Sequence, residues 1–130
     1  MKKLGFGLMR LPLLDPNDDT SIDFELTNKM VDTFLERGFN YFDTAIMYCG
    51  FKSQDAVKEI LTKRHPRESF KLATKLHSRF IKCADDRDRI FNEQLEKTGA
   101  GYFDYYLIHG IGKQSYEVYK KYDCFNWLIE

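Results

Sequence analysis

The stretch Asn40–Gly50, NYFDTAIMYCG, decides how this chain is read. An aromatic, β-prone run ends on an aspartate, Asp43, and a tyrosine, Tyr48, follows five residues later. A strand that runs into a loop explains the pattern only in part. The rest of the chain asks whether Asp43 and Tyr48 belong to one acid–base site.

The surroundings of that strand set the architecture. LGFGLMRL (Leu4–Leu11) reads as a first strand closed by Pro12, and DPNDD (Asp15–Asp19) has turn chemistry. From Asp23 to Arg37 the residues Leu26, Met30, Val31, Phe34 and Leu35 recur at helical spacing, with Gly38 placed as a C-terminal cap. FNYFD is the second strand. Ser53 is placed to cap a helix whose apolar stripe is Ala56, Val57, Ile60 and Leu61. FKLATK (Phe70–Lys75) is the third strand, a helix with Ile90, Phe91 and Leu95 stops at Gly99, and YFDYYLIH (Tyr102–His109) is the fourth. The final stretch, Ser115–Glu130, has helical composition.

Strands starting near Leu4, Phe39, Phe70 and Tyr102 lie just over thirty residues apart, the spacing of repeated βαβ units. An α/β fold with a parallel sheet and right-handed crossovers follows. Two architectures fit, a doubly wound sheet and four βα units of a (β/α)8 barrel. A complete barrel takes about 250 residues, so residues 1–130 are expected to supply one half of it as a single domain. The apolar Trp127, Leu128 and Ile129 near Glu130 suggest a chain cut within or just after a helix that leads to a fifth strand; a complete four-unit sheet is the alternative.

Composition bounds the function. Hydrophobic residues make up 43% and aromatics 15% of the chain, which is globular material. Twenty basic side chains balance twenty acidic ones, against a polyanion binder that needs a cationic surplus. No apolar run reaches the roughly 20 residues that span a bilayer. Cys49, Cys83 and Cys124 form no CxxC pair and read as reduced thiols in a cytoplasmic protein, Cys49 as a small buried one. The GFG of Gly5–Gly7 lacks the third glycine of a dinucleotide fingerprint. DDRDR (Asp85–Arg89) reads as a capped, solvated helix start and YKKYD (Tyr119–Asp123) as a wet helix face.

Active sites of parallel α/β folds lie beyond the carboxyl ends of the strands. There the second strand delivers Asp43 and then Tyr48, the third ends on Lys75, and the fourth closes on His109. A tyrosine near pKa 10 is a poor acid at neutral pH. A neighbouring ammonium favours its phenolate, and a carboxylate can hold the lysine in place. A histidine opposite can orient a carbonyl oxygen. Together the four form a proton donor for a carbonyl becoming an alkoxide. A metal-dependent hydrolase with Asp43, His77 and His109 as ligands is the weaker reading, since Lys75 would compete with a cation.

With these residues in view, the chain resembles the N-terminal half of an aldo-keto reductase over essentially its whole length. DTAIMY (Asp43–Tyr48) is similar to the family's Asp-Thr-Ala-x-x-Tyr signature, LATK (Leu72–Lys75) to its third-strand lysine, and FDYYLIH (Phe103–His109) to its fourth-strand histidine. The resemblance implies a catalytic tetrad of Asp43, Tyr48, Lys75 and His109, with Tyr48 as general acid. It implies NADP(H) as hydride donor and a small aldehyde or ketone as substrate. GFGLMR (Gly5–Arg10) is similar to the first-strand segment lining the family's pocket, so Gly7, Leu8, Met9 and Arg10, with Asp43 and Thr44, are the cofactor-side residues it implies. The wording of FNEQLEKTGAGYFDYYLIH resembles a branch whose longer members carry a C-terminal ferredoxin-like iron–sulfur domain; no cysteine cluster for one occurs here. Departures are Ile46 where an aromatic is common and Gln54 where a glutamate is. Most contacts to the cofactor's phosphates and adenine come, in the family, from strands five to eight. A non-catalytic half-barrel or interaction module is therefore the alternative to an enzyme. The open sheet edges of a half-barrel imply self-association.

Overall fold

The computed structural model describes residues 3–129. Glu130, the end of the predicted final helix, lies outside them. Four strands form one parallel sheet: β1 (Gly5–Gly7), β2 (Tyr41–Asp43), β3 (Lys71–Leu76) and β4 (Tyr105–Ile108). Their order in space is their order in sequence. A doubly wound sheet reverses its strand order at a switch point; this one does not, and the sheet is built as four successive units of a (β/α)8 barrel.

The helices cover one face. Phe6, Phe42 and Leu72 pack with Val31 and Phe34 of α1 (Phe24–Glu36) and with Ala56, Val57, Ile60 and Leu61 of α2 (Ser53–Val57) and the π-helical turn Lys58–Thr62 that prolongs it. Farther along the sheet, Leu76, Tyr106 and Ile108 pack with Ile90 of α3 (Asp86–Thr98), Tyr119 of α4 (Lys113–Lys121) and Cys124 of α5 (Cys124–Trp127). Residues two apart on a strand share a face. The other face therefore carries Gly5, Gly7, Tyr41, Asp43, Lys71, Ala73, Lys75, Tyr105 and Leu107. Tyr105 and Leu107 there remain 46% and 40% exposed, because no layer among the described residues covers them.

Local chemistry sets most boundaries. Asp23 caps α1 by accepting from the Leu26 amide at 2.9 Å. Gly99 ends α3 at φ 62°, where a side chain would press on Lys58 and Thr62.

Several expectations need correction. The first strand is Gly5–Gly7 and not Leu4–Leu11, since β2 offers only three residues to pair with and the Leu8 carbonyl is taken by side chains. On α1 the buried line is Thr27, Val31 and Phe34, whereas Leu26 and Met30 face outward. Ser53 is not a helix cap; its hydroxyl donates to the Leu8 carbonyl at 2.9 Å. Asp86 is buried rather than solvated, because it accepts from the Lys82 and Cys83 amides and from Arg89. Tyr119 is fully buried, not part of a wet face. The C-terminal stretch is two helices, broken where Asp123 turns left-handed at φ 52° and the Tyr122 carbonyl accepts from Arg87.

Candidate active site

The pleat brings three of the four polar groups to one rim. Asp43 pairs with Ala73, and Lys75, two residues on, stands on the same face. Lys75 pairs with Leu107, and His109 lies two residues beyond that. β2 ends on Asp43, β3 ends one residue after Lys75 and β4 one residue before His109, so all three stand on one face near the carboxyl end of the sheet.

Lys75 is the hinge of the arrangement. Its ammonium donates to Asp43 Oδ1 at 2.6 Å and to the Thr44 carbonyl at 2.8 Å. The same nitrogen lies 5.0 Å from the centroid of the Tyr48 ring. Both charged side chains are largely enclosed, Lys75 more so than Asp43. A charge-assisted bond of this length in such surroundings is among the stronger polar contacts a protein makes.

Tyr48 sits on a loop with unusual backbone. Cys49, Gly50 and Phe51 all have positive φ, at 50°, 56° and 71°. Two side chains tie this loop to the end of β1. The Cys49 thiol donates to the Leu8 and Met9 carbonyls at 3.4 and 3.5 Å, and the Ser53 hydroxyl donates to Leu8 while contacting Thr44 Oγ1 at 2.8 Å. The Leu8 amide in turn donates to the Asp43 carbonyl at 2.8 Å. Sequence reasoning passed over Ser53 in this role, noted Gln54 only as a departure, and missed Gln94 and Thr74; both buried glutamines donate to the Thr74 hydroxyl, and Gln94 also donates to the Lys75 carbonyl. A Gln–Thr network on an apolar face leaves no periodic signal.

His109 faces Tyr48 edge to face, with ring centroids 5.9 Å apart. Burial pushes its pKa below the ordinary histidine value, and the charges of His77 and Lys75 add to that, against the opposing pull of Asp43. Its Nδ1 is buried with no partner among the described residues. His77 is also lowered, by burial first and by Arg79 second.

The cofactor-side residues divide. A side chain added at Gly7 would meet nothing within 4 Å, so open space lies against the sheet there. Met9 and Arg10 are exposed and, with Tyr48, Cys49 and Gly50, line a cleft of about 400 Å³. Leu8 and Thr44 are different: the Leu8 side chain is in the core and its backbone groups are already bonded, and the Thr44 hydroxyl is held by Ser53. Asp43, His77 and His109 do not assemble as a metal-ligand set, and among the described residues no three His, Cys, Asp or Glu side chains do. Among them, too, no helix is long and apolar enough to cross a membrane.

Comparison with solved structures agrees with this fold. A thermostable aldo-keto reductase, Tm1743, solved with the inhibitor epalrestat, superposes with a TM-score of 0.68 at 20% identity, over 98% of this chain and 47% of its own. AKR11C1 from Bacillus halodurans, in holo form, gives 0.67 at 25% identity, over 95% and 42%. An aldo-keto reductase from Klebsiella pneumoniae in complex with NADPH gives 0.65 at 17%, over 93% and 41%. The chain thus spans somewhat under half the length of these structures. Comparison with curated proteins finds no match. The model of the aldo/keto reductase family matches residues 3–126. With nearly the whole chain matched, this protein belongs to the aldo/keto reductase family.

Proposed function

We propose that this chain carries the proton-donating half of an NADP(H)-dependent reductase that converts aldehydes or ketones to alcohols. The supporting observation is Lys75, whose ammonium is anchored by Asp43 at 2.6 Å and held 5.0 Å from the Tyr48 ring. In this reading Tyr48 delivers a proton to the carbonyl oxygen as the adjacent carbon is reduced. Lys75 stabilises the phenolate left behind, and Asp43 keeps the ammonium in place. His109 holds the carbonyl oxygen toward Tyr48.

When bound, the nicotinamide supplies the hydride. The residues present fit one side of it: open space against Gly7, and Met9 and Arg10 beside the cleft next to Tyr48. Gly7, Leu8, Met9, Arg10, Asp43 and Thr44 form that wall, Leu8 and Thr44 from behind. The relative solved with NADPH and others of the family support the same cofactor. We place residues 1–130 as the N-terminal half of the barrel, with the face of Tyr105 and Leu107 turned toward whatever completes it. The three cysteines are free, in keeping with a reducing, cytoplasmic setting.

An NADPH fluorescence titration of the purified chain, and NADPH oxidation with a simple aldehyde by a catalytically complete form, test the reading. Binding at roughly micromolar levels and turnover lost in Tyr48→Phe are expected. Turnover indifferent to Tyr48 would overturn it.

A further inference from the structure

Among the described residues, no hydrogen bond holds the ring of His109 at its buried Nδ1. A functional histidine is normally fixed by a partner on its second nitrogen, which sets both the ring plane and the tautomer. Here that nitrogen, Nδ1, is buried without a partner among the described residues. What meets the ring instead is a second imidazole. The β3–β4 register runs Lys75↔Leu107 and Leu76↔Ile108, and the His109 amide continues it by donating to the Leu76 carbonyl at 2.9 Å. One step farther along, His77 stands opposite His109. Their centroids are 4.8 Å apart and the rings are 76° from coplanar, a closer contact than the 5.9 Å to Tyr48.

His77 is itself fixed. Its Nδ1 accepts from the Arg79 amide at 3.0 Å, so its own proton is on Nε2, and its ring packs edge to face on Phe80. The two segments are joined from below by the buried Tyr119. Its hydroxyl accepts from the Ser78 amide at 2.9 Å and donates to the His109 carbonyl at 2.8 Å. One hydroxyl thus sets the backbone spacing of both imidazoles.

We propose that His77 is a positioning residue of this site: its anchored imidazole, packed edge-on against His109, holds the plane of that ring and keeps its proton on Nε2. An orphaned buried N–H is costlier than an orphaned lone pair, so the enclosed Nδ1 is the bare nitrogen. Nε2–H is then the donor left for an oxygen in the site. The groups facing His109 are Asp43 from β2, Lys75 from β3, Tyr48 from its loop and His77; α4 contributes the neutral Tyr119 hydroxyl on its carbonyl. Two imidazoles this close do not both become imidazolium readily, and after burial the charge of His77 is the next cause lowering the His109 pKa, so His77 also opposes protonation of His109.

The inference rests on the reductase reading for what His109 does, though not for how it is held. Long-range proton–nitrogen NMR on the ¹⁵N-labelled full chain tests it, with thermal melts as a fold control. In the wild type His109 is expected as a single Nε2–H tautomer. His77→Ala is expected to give a tautomer mixture and an upward shift of the His109 titration midpoint. His77→Phe restores an aromatic edge without the charge, so it is expected to keep the tautomer and still raise the midpoint. A His109 whose tautomer and midpoint are unchanged in His77→Ala would overturn the proposal. Should that variant not fold, an unchanged midpoint in His77→Phe overturns it equally. The readout needs neither nucleotide nor carbonyl, so turnover indifferent to Tyr48 sinks the functional reading and leaves this one to its own result.

Discussion

Lys75 and Asp43 come from neighbouring strands 32 residues apart in sequence and meet at 2.6 Å, with the ammonium turned toward the Tyr48 ring. A lysine so placed has two duties, to pair with a carboxylate and to stabilise a phenolate. Both follow from its standing two residues past the Asp43–Ala73 pairing on the same face.

The first prediction concerns the proton. In a catalytically complete form, Tyr48→Phe is expected to lower carbonyl reduction by roughly a hundredfold to ten-thousandfold, the range of general-acid contributions. NADPH affinity is expected to change little, because the phenyl ring keeps the same volume. Steady-state kinetics alongside fluorescence titration separates the two effects.

The loop carrying Tyr48 should be sensitive to its glycine. Gly50 has φ 56°, and a Cβ there would lie 2.7 Å from Thr20 Cγ2. Gly50→Ala is therefore expected to cost about 1–2 kcal/mol. Urea denaturation should show a lower midpoint with an unchanged slope.

At the opposite end of the sheet, Asp104 contributes to acid stability. Its side chain is 8% exposed and accepts from Arg67 at 2.7 Å, Lys71 at 2.9 Å and the Leu72 amide at 2.9 Å. Burial alone would raise its pKa, but the bonds from Lys71, Arg67 and Leu72 outweigh it and leave the carboxyl below the ordinary 3.8. A depressed folded value means the stabilisation is fully present above the unfolded pKa and is lost as pH falls through the folded one. Asp104→Asn is expected to cost roughly 2–3 kcal/mol at neutral pH and to flatten the dependence of stability on pH below about pH 4. Thermal melts across pH 2–7 would show it; parallel curves for the two proteins would refute it.

Both β1 and β4 lie at edges of the sheet, and the face bearing Tyr105 and Leu107 is uncovered among the described residues. Open edges invite pairing, so a dimer or larger species is expected by size exclusion with light scattering. A monodisperse monomer across micromolar concentrations would count against it.

Much of this was legible without coordinates because it depends on local rules. Strand period and turn residues located all four βα units, and the end of each strand named Asp43, Lys75 and His109 as a group. The apolar stripe Ala56, Val57, Ile60 and Leu61 is buried as its helical spacing implies. Those readings need only the neighbours along the chain.

What sequence spacing did not decide was anything set by which strand lies beside which. Whether four units wind into a doubly wound sheet or a barrel segment depends on strand order, and the same local pattern serves both. Leu26 and Met30 looked like core, yet α1 rotates to place Thr27 against the sheet. Ser53 read as a cap until the Leu8 carbonyl, 45 residues away, proved to be its partner. His77 next to His109 is of the same kind. Neither residue's neighbours in sequence hint at the pairing; the inter-strand register alone makes it, because a parallel ladder brings together residues from βα units that the chain itself keeps about thirty residues apart.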